Sequence, residues 1–302
     1  MRVSDHLEKL AAADRWNYAA NPHESATEPA AWAALALAMH RHPAVKRSAR
    51  WLAKCQQKNG SVGASQTQST PRWPTSLATL AWAFADQQSK TDQFQTNIQL
   101  ATQWSLNDYG RTGPRSGQAG HDTTLAGWSW AADTHSWLEP TCFFVRALTA
   151  LGYADHPRVK VGVQMIADRL LPEGGCNYGN TFVLGQQLLP HLQPSGIAMW
   201  AIAEHQVSDS RIEQTLEYLE RSVADNLVTP NSLSFALLGL TAFNRRPQNA
   251  DQLVADHFRR LESKSNPGTY HQSLLLLAAL RQPFSLSSLA VQAQTAYAEA
   301  LQ

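Results

Sequence analysis

The sequence predicts an all-α chain of about six helical hairpins, the first helix of each lying in an inner ring and the second in an outer one. Three observations predict it. Apolar runs at helical spacing begin at or near Pro29, Pro74, Pro140, Pro194, Pro230 and His271, and each is followed by a second helical run. The first runs, such as SLLLLAAL and LSFALLGL, are apolar on all sides and belong in an interior, whereas the second runs, such as RIEQTLEYLERS, carry charged faces. A helix pair of this size cannot bury its apolar face alone, so a repeat of such pairs means stacked units in a solenoid or a closed array. Although 302 residues exceed the usual domain size, the repeat favours one domain over residues 1–302, with 1–24 an N-terminal helix and lead-in and the repeats over roughly 25–300.

Taken in order, residues 1–20 read as a short amphipathic helix around Leu7, Leu10, Ala11 and Trp16. The first hairpin opens at Thr27-Glu28-Pro29, where proline at the first helical position costs no hydrogen bond and glutamate complements the positive helix end. It breaks at His42-Pro43, continues over Val45–Lys54 and ends in a polar loop containing Asn59-Gly60-Ser61. The second starts at Trp73-Pro74-Thr75, with a partner helix near Phe94–Trp104 and a long glycine-bearing loop after it. The third repeats the first nearly as text: Glu139-Pro140, an apolar run, a break at His156-Pro157, a helix through Val159–Leu170 and a loop at Glu173-Gly174-Gly175. The fourth and fifth pair Pro194 with Ile212–Leu219 and Pro230 with Leu253–Leu261; the sixth runs from Tyr270-His271 to a partner near Leu289–Tyr297.

Bulk properties bound the function. The 25 Lys and Arg against 24 Asp and Glu give a net charge of +1, without the basic excess expected of a nucleic-acid binder. Three cysteines, Cys55, Cys142 and Cys176, show no CxxC spacing, so neither a disulfide framework nor a cysteine-rich zinc module is expected. The start MRVSDHLEKL has no apolar leader core, and the longest apolar stretch, Ala30 to Met39, is half a membrane span. The expected protein is cytoplasmic, with no transmembrane segment and no cofactor.

The densest candidate site is GWSWAADTHSW, which places Trp128, Trp130 and Trp137 beside Asp133 and His135 and leads into Glu139. No other repeat copies it. Trp32 and Tyr178 are further candidates for an aromatic pocket whose ring faces could stabilise a cation. Asp133 or Glu139, desolvated in such a pocket, would have a raised pKa and could donate a proton. If all inner helices run the same way, Glu28, Thr75, Ser195, Asn231 and His271 share one rim with this cluster, and Asn180 joins it from the glycine loop. The competing reading is plain capping, because Ser, Asn, Asp and Glu at helix starts stabilise by about 1 kcal/mol with no other role.

Two stretches resemble a known family. Gln56, Gly60 and Ser61 are similar to the repeat motif of squalene-type cyclases, with Val62 where an aromatic is usual, and PEGGCNYG from Pro172 to Gly179 resembles the same family's loop, with Cys176 in place of tryptophan. The resemblance, to the terpenoid cyclase and protein prenyltransferase superfamily, implies an alpha/alpha toroid and an isoprenoid-like hydrophobic ligand. The DxDD acid motif of one branch is absent. The zinc site of the other is represented only by His271, so no metal is expected. A non-catalytic toroid that binds a lipid or protein is one alternative. A carbohydrate-active toroid, which would need paired carboxylates facing each other across a cleft, is another.

Overall fold

The computed structural model describes residues 3–18, 24–115, 119–224, 228–263 and 268–283. They hold helices α1 (Val3–Ala12), α2 (Thr27–Met39), α3 (Val45–Lys54), α4 (Thr75–Ser89), α5 (Gln95–Asn107), α6 (Leu138–Ala150), α7 (Pro157–Asp168), α8 (Leu192–Ile202), α9 (Arg211–Ser222), α10 (Pro230–Ala242), α11 (Ala250–Glu262) and α12 (Thr269–Ala278). A two-stranded antiparallel ribbon, β1 (Phe182–Val183) and β2 (Gln186–Gln187), interrupts them. Every repeat start expected from the sequence opens a helix within a few residues. The partner expected near Leu289–Tyr297 lies outside the described residues.

The chain divides into two compact units. Of the described residues, one unit comprises those within 1–107 and 249–280, the other those within 108–248 and 281–283. In the first unit α2 packs against α3, α4 and α12, and α1 closes on α12. Gln272 Nε2 donates to the His6 carbonyl at 2.7 Å, and the Tyr270 amide donates to the Asn17 carbonyl at 3.2 Å. In the second unit α8 is the hub, touching α6, α9 and α10. Gly196 of α8 lies so close to α10 that a Cβ there would meet the Phe235 carbonyl oxygen at 2.4 Å.

Burial follows the predicted division of labour. Every residue of α6 is buried, and so are all but two of the thirteen in α2, whereas α3 buries only Val45, Ser48, Ala49 and Leu52 and α9 only Thr215, Leu216 and Leu219. The Glu-Pro pairs sit slightly deeper than expected: α2 begins at Thr27 and α6 at Leu138, so each proline is the third helical residue. It is still in the first turn, whose amides lack helical partners, so the missing N–H costs nothing.

The two glycine loops are one structure used twice. Antiparallel bridges join Gln56 to Val62 and Leu170 to Cys176. The Gln57 amide donates to the Ser61 carbonyl at 2.7 Å and the Leu171 amide to the Gly175 carbonyl at 2.9 Å. A hydroxyl from the following buried helix then ties each loop down: the Val62 amide donates to Thr75 Oγ1 and the Cys176 amide to Ser195 Oγ, both at 2.8 Å. Ser195 therefore holds a loop instead of capping a helix. Next to Asn231, the cap of α10 is Thr229, whose Oγ1 accepts from the Ser232 amide at 3.2 Å.

Gly60 and Gly174 make these loops possible. Both have positive φ, +93° and +85°, and a Cβ would lie 2.2 Å from the Leu100 carbonyl oxygen in one and 2.6 Å from the Gln214 carbonyl carbon in the other. Backbone strain and a clash with rigid backbone add together. Gly60→Ala is expected to destabilise the protein by about 3 kcal/mol. Gly185→Ala, also at positive φ (+76°) but with nothing within 4 Å, should cost only about 1 kcal/mol. Urea unfolding of the two variants checks this, and equal losses would contradict it.

Candidate functional site

The first unit contains a cavity of about 400 Å³ lined by Asn17, Tyr18, Glu24, Ser25, Ala26, Glu28, Ala64, Ser65, Gln68, Trp73 and Pro74. Its walls are the lead-in to α2, the first turn of α2, the loop after Gln56 and the start of α4. They are fixed to one another by backbone bonds: Ala26 N to Trp16 O at 2.8 Å and Thr27 N to Ala64 O at 3.0 Å. Thr27 Oγ1 adds a bond to the Gly63 carbonyl at 2.7 Å. The opening is thus built before any ligand arrives.

Glu28 is the chemical centre of this cavity. It keeps partial exposure toward the opening while its carboxyl is enclosed by protein. Tyr18 Oη donates to Oε2, Trp32 Nε1 donates to Oε1 at 3.4 Å, and the Tyr270 hydroxyl is a further partner. The three donors favour the carboxylate, but the loss of hydration outweighs them and the carboxyl is held above its ordinary range. The Tyr18 phenol is pushed up too, by burial and by Glu28. Tyr18 in turn packs on Tyr270, ring centroids 4.9 Å apart.

A raised carboxyl makes stability depend on pH in a defined sense. The folded state holds the Glu28 proton more tightly than the unfolded chain does. The resulting stabilisation is complete below the ordinary carboxylate range and is lost as pH rises through the raised folded value. Thermal melts across this range should show wild type losing stability relative to Glu28→Gln as pH increases. Parallel curves would contradict the assignment.

In the second unit Glu139 is buried and accepts from Gln193 Nε2 at 3.0 Å. The amino ends of α6 and α8 therefore meet at this carboxylate. Tyr178 is exposed, with its ring 5.2 Å from His191, and burial followed by the Glu139 charge raises its phenol. Glu139 also helps to raise the Cys142 thiol, after burial and Cys176. Asp133 lies on the surface in a left-handed backbone conformation (φ 62°), with Arg111 Nη2 at 3.8 Å. His135 is exposed and packs on half-buried Trp137 at 4.4 Å. Trp130 and Asn180 are half-buried.

Trp128 is fully enclosed, stacked on Phe144 with centroids 5.1 Å apart and carrying the Arg158 guanidinium 3.5 Å from its ring centre. Trp32 is also fully buried, and its indole nitrogen reaches Glu28. His271 is half-buried beside Tyr270 in α12. No group of three or more His, Cys, Asp or Glu side chains is arranged to hold a metal among the described residues. No helix among them is long and apolar enough to cross a membrane.

Of the cavity residues, only Glu28 was a candidate from sequence. Asn17, Tyr18, Glu24, Ser65, Gln68 and Trp73 come from irregular segments with no periodicity to mark them. The one available signal was that Glu28 and Trp32 lie one helical turn apart, with tryptophan placed to reach the carboxyl.

No family model matches the chain, and no curated protein matches its sequence. Solved structures do share its fold. An inactive variant of the alpha-1,6-mannanase GH76A of Salegentibacter sp. HEL1_6, in complex with alpha-1,6-mannotriose, superposes with a TM-score of 0.58 at 12% identity, over 96% of this chain and 98% of that one. The endoglucanase Cel10, a family 8 glycosyl hydrolase from Klebsiella pneumoniae, gives 0.58 at 15% identity over 96% and 99%. Salmonella alpha-2-macroglobulin gives 0.52 at 13% identity, over 94% of this chain but 17% of that longer one.

The protein is thus an all-α protein of the alpha/alpha toroid class. The terpenoid cyclase and prenyltransferase resemblance is corrected by these neighbours, which include glycoside hydrolases of families 76 and 8. The physical reason lies in the two loops that carried it. Their glycines are required by the turn that seats each loop on an outer helix, a demand of the repeat and not of isoprenoid chemistry.

Proposed function

We propose that the protein is carbohydrate-active, that it binds an oligosaccharide in the cavity of the first unit, and that Glu28 serves there as proton donor. The observation that carries this reading is the setting of Glu28, a desolvated carboxyl held by Tyr18 and Trp32 on the wall of a preformed cavity. Tyr18 and Trp73 offer aromatic surface for the C–H faces of a sugar ring. Asn17, Glu24, Ser25, Ser65 and Gln68 offer hydrogen bonds to its hydroxyls. An isoprenoid would make no use of these polar groups, whereas a saccharide can hydrogen-bond to them. The sequence-based expectation of an isoprenoid ligand is therefore replaced by a saccharide, in keeping with the oligosaccharide bound by the mannanase neighbour.

Protonation of a glycosidic oxygen by a raised carboxyl is the first half of glycoside hydrolysis; the second requires another carboxylate to activate water or to attack the sugar. Glu24 lines the same cavity and takes that role in this reading. The mannanase variant was inactivated at two consecutive aspartates, whereas no two acidic residues are adjacent anywhere in this sequence. The pair proposed here is thus a different one, four residues apart at the entry to α2.

The test is incubation of the full chain with linear α-1,6-manno- and β-1,4-gluco-oligosaccharides, with binding followed by calorimetry and products by chromatography. Binding accompanied by shorter products is the expected result. Absence of binding throughout the panel at millimolar concentration would overturn the reading.

A further inference from the structure

A second cavity, of about 310 Å³, adjoins the first and is lined by Asp14, Arg15, Glu24, Ser25, Trp51, Ser65, Gln66 and Thr67. Glu24, Ser25 and Ser65 line both. The two cavities are therefore halves of one groove, divided where Glu24 stands.

Two short segments of the lining serve both halves. Along one side, Asp14 and Arg15 face the second cavity and Asn17 and Tyr18 the first. Trp16, between them, turns into the core, where its ring lies 5.6 Å from Trp51 and 6.0 Å from the Arg47 guanidinium. Along the other side, the turn from Ser65 to Gln68 is closed by the Ser65 amide donating to the Gln68 carbonyl at 3.2 Å. Its hydroxyl accepts from the amides of Thr67 and Gln68 at 3.3 and 3.2 Å. The Trp16 amide donates to Ser25 Oγ at 3.1 Å, which anchors the first segment to one of the three residues common to both halves.

The two halves repeat one chemistry. Each has a half-buried tryptophan, Trp73 in the first and Trp51 in the second, accompanied by hydroxyl, amide and charged side chains. An aromatic face ringed by hydrogen-bonding groups is what one sugar unit requires. The same arrangement on both sides of a shared carboxylate suits consecutive units of a single chain.

Resting on the carbohydrate reading above, we infer that the second cavity is a further saccharide subsite, with Trp51 as its platform, and that the protein's ligand is a linear oligosaccharide running past Glu24 from one half to the other. Asp14 and Arg15 supply an acceptor and a donor side by side for neighbouring hydroxyls of the outer unit. The ligand is thus a chain, not a monosaccharide or a short disaccharide held in one half.

Calorimetry with α-1,6-manno- and β-1,4-gluco-oligosaccharides, from monosaccharide to hexasaccharide, tests this. Affinity should step up once the chain is long enough to enter the second cavity. Trp51→Ala should remove that step, weakening the long saccharides about tenfold, and leave the affinity of the short ones unchanged, which also shows that the variant is folded. Trp51→Phe should retain most of the step. Failure of every saccharide to bind wild type would sink the carbohydrate reading itself. Binding that is indifferent to length, or equal weakening of short and long chains by Trp51→Ala, would overturn the second subsite alone.

Discussion

Glu28→Gln is expected to lower oligosaccharide hydrolysis by about 10²–10⁴-fold while changing saccharide affinity by no more than a few fold. Glutamine keeps the shape of the side chain: its carbonyl oxygen can still accept from Trp32 Nε1, and its amide can donate to the Tyr18 hydroxyl, which then accepts. The proton that would pass to the leaving oxygen is gone. Because the wild-type carboxyl is raised by desolvation, it remains protonated to higher pH than an exposed glutamate. Activity should accordingly fall on the alkaline side as Glu28 ionises, and the variant's residual activity should lack that limb. Steady-state rates across pH measure both effects. Retention of full activity by Glu28→Gln would move the acid elsewhere, and Glu139, the residue in the same place of the repeated motif, would be the next to substitute.

The neighbours bear on this expectation only through fold. At 12–15% identity they establish a scaffold, and alpha-2-macroglobulin among them shows that the scaffold is not reserved for one chemistry. Function has to be argued from the site. In the reading proposed above, that site is a short stretch of chain around the entry to α2, and its chemistry depends on how far a single carboxyl is desolvated.

Much of the fold was legible because it repeats. The helix starts near Pro29, Pro140, Pro194 and Pro230 are marked by proline tolerance in the first turn and that of α4 by Pro74 just before it, and the buried and amphipathic helices are separated by composition alone. The ribbon at 182–187 was not visible, since two-residue strands carry no alternation to detect. The cavity was hardly legible at all. Tyr18 and Glu28 are ten residues apart in sequence, and Trp73 and Tyr270 reach the same region from distant repeats. The tryptophan-rich stretch from Gly127 drew attention by composition, yet its residues have divergent placements: Trp128 enclosed, Trp130 half-buried, Asp133 on the surface. Composition cannot separate a ring that lines a cavity from a ring that supports a loop, because both require the same apolar surface.

Arg158 makes that last distinction measurable. In the second unit, its guanidinium donates to the Asp108 carbonyl through Nε at 3.3 Å and Nη2 at 2.9 Å, to Ala126 through Nη1 at 2.6 Å and to Gly127 through Nη2 at 2.8 Å. It also lies 3.5 Å from the ring centre of Trp128 and 4.4 Å from that of Tyr109. Burial lowers its pKa to about 10, so it remains charged at neutral pH and its bonds are charge-assisted. One side chain of α7 thus gathers both ends of the loop that begins at Asp108 and returns at Gly127. Arg158→Met fills the space but leaves these carbonyls short of donors and Trp128 without its cation. A loss of about 3–5 kcal/mol is expected, together with faster hydrogen exchange at the Gly110 amide, which bonds to the Gly127 carbonyl at 2.9 Å. Arg158→Lys should recover only part of this, because an ammonium cannot reproduce the planar fork that spans three carbonyls. If Arg158→Met unfolded within 1 kcal/mol of wild type, a threshold taken from the spread of ordinary substitutions, the loop would have to be held by its own backbone bonds, and Trp128 would need a role other than bearing that cation.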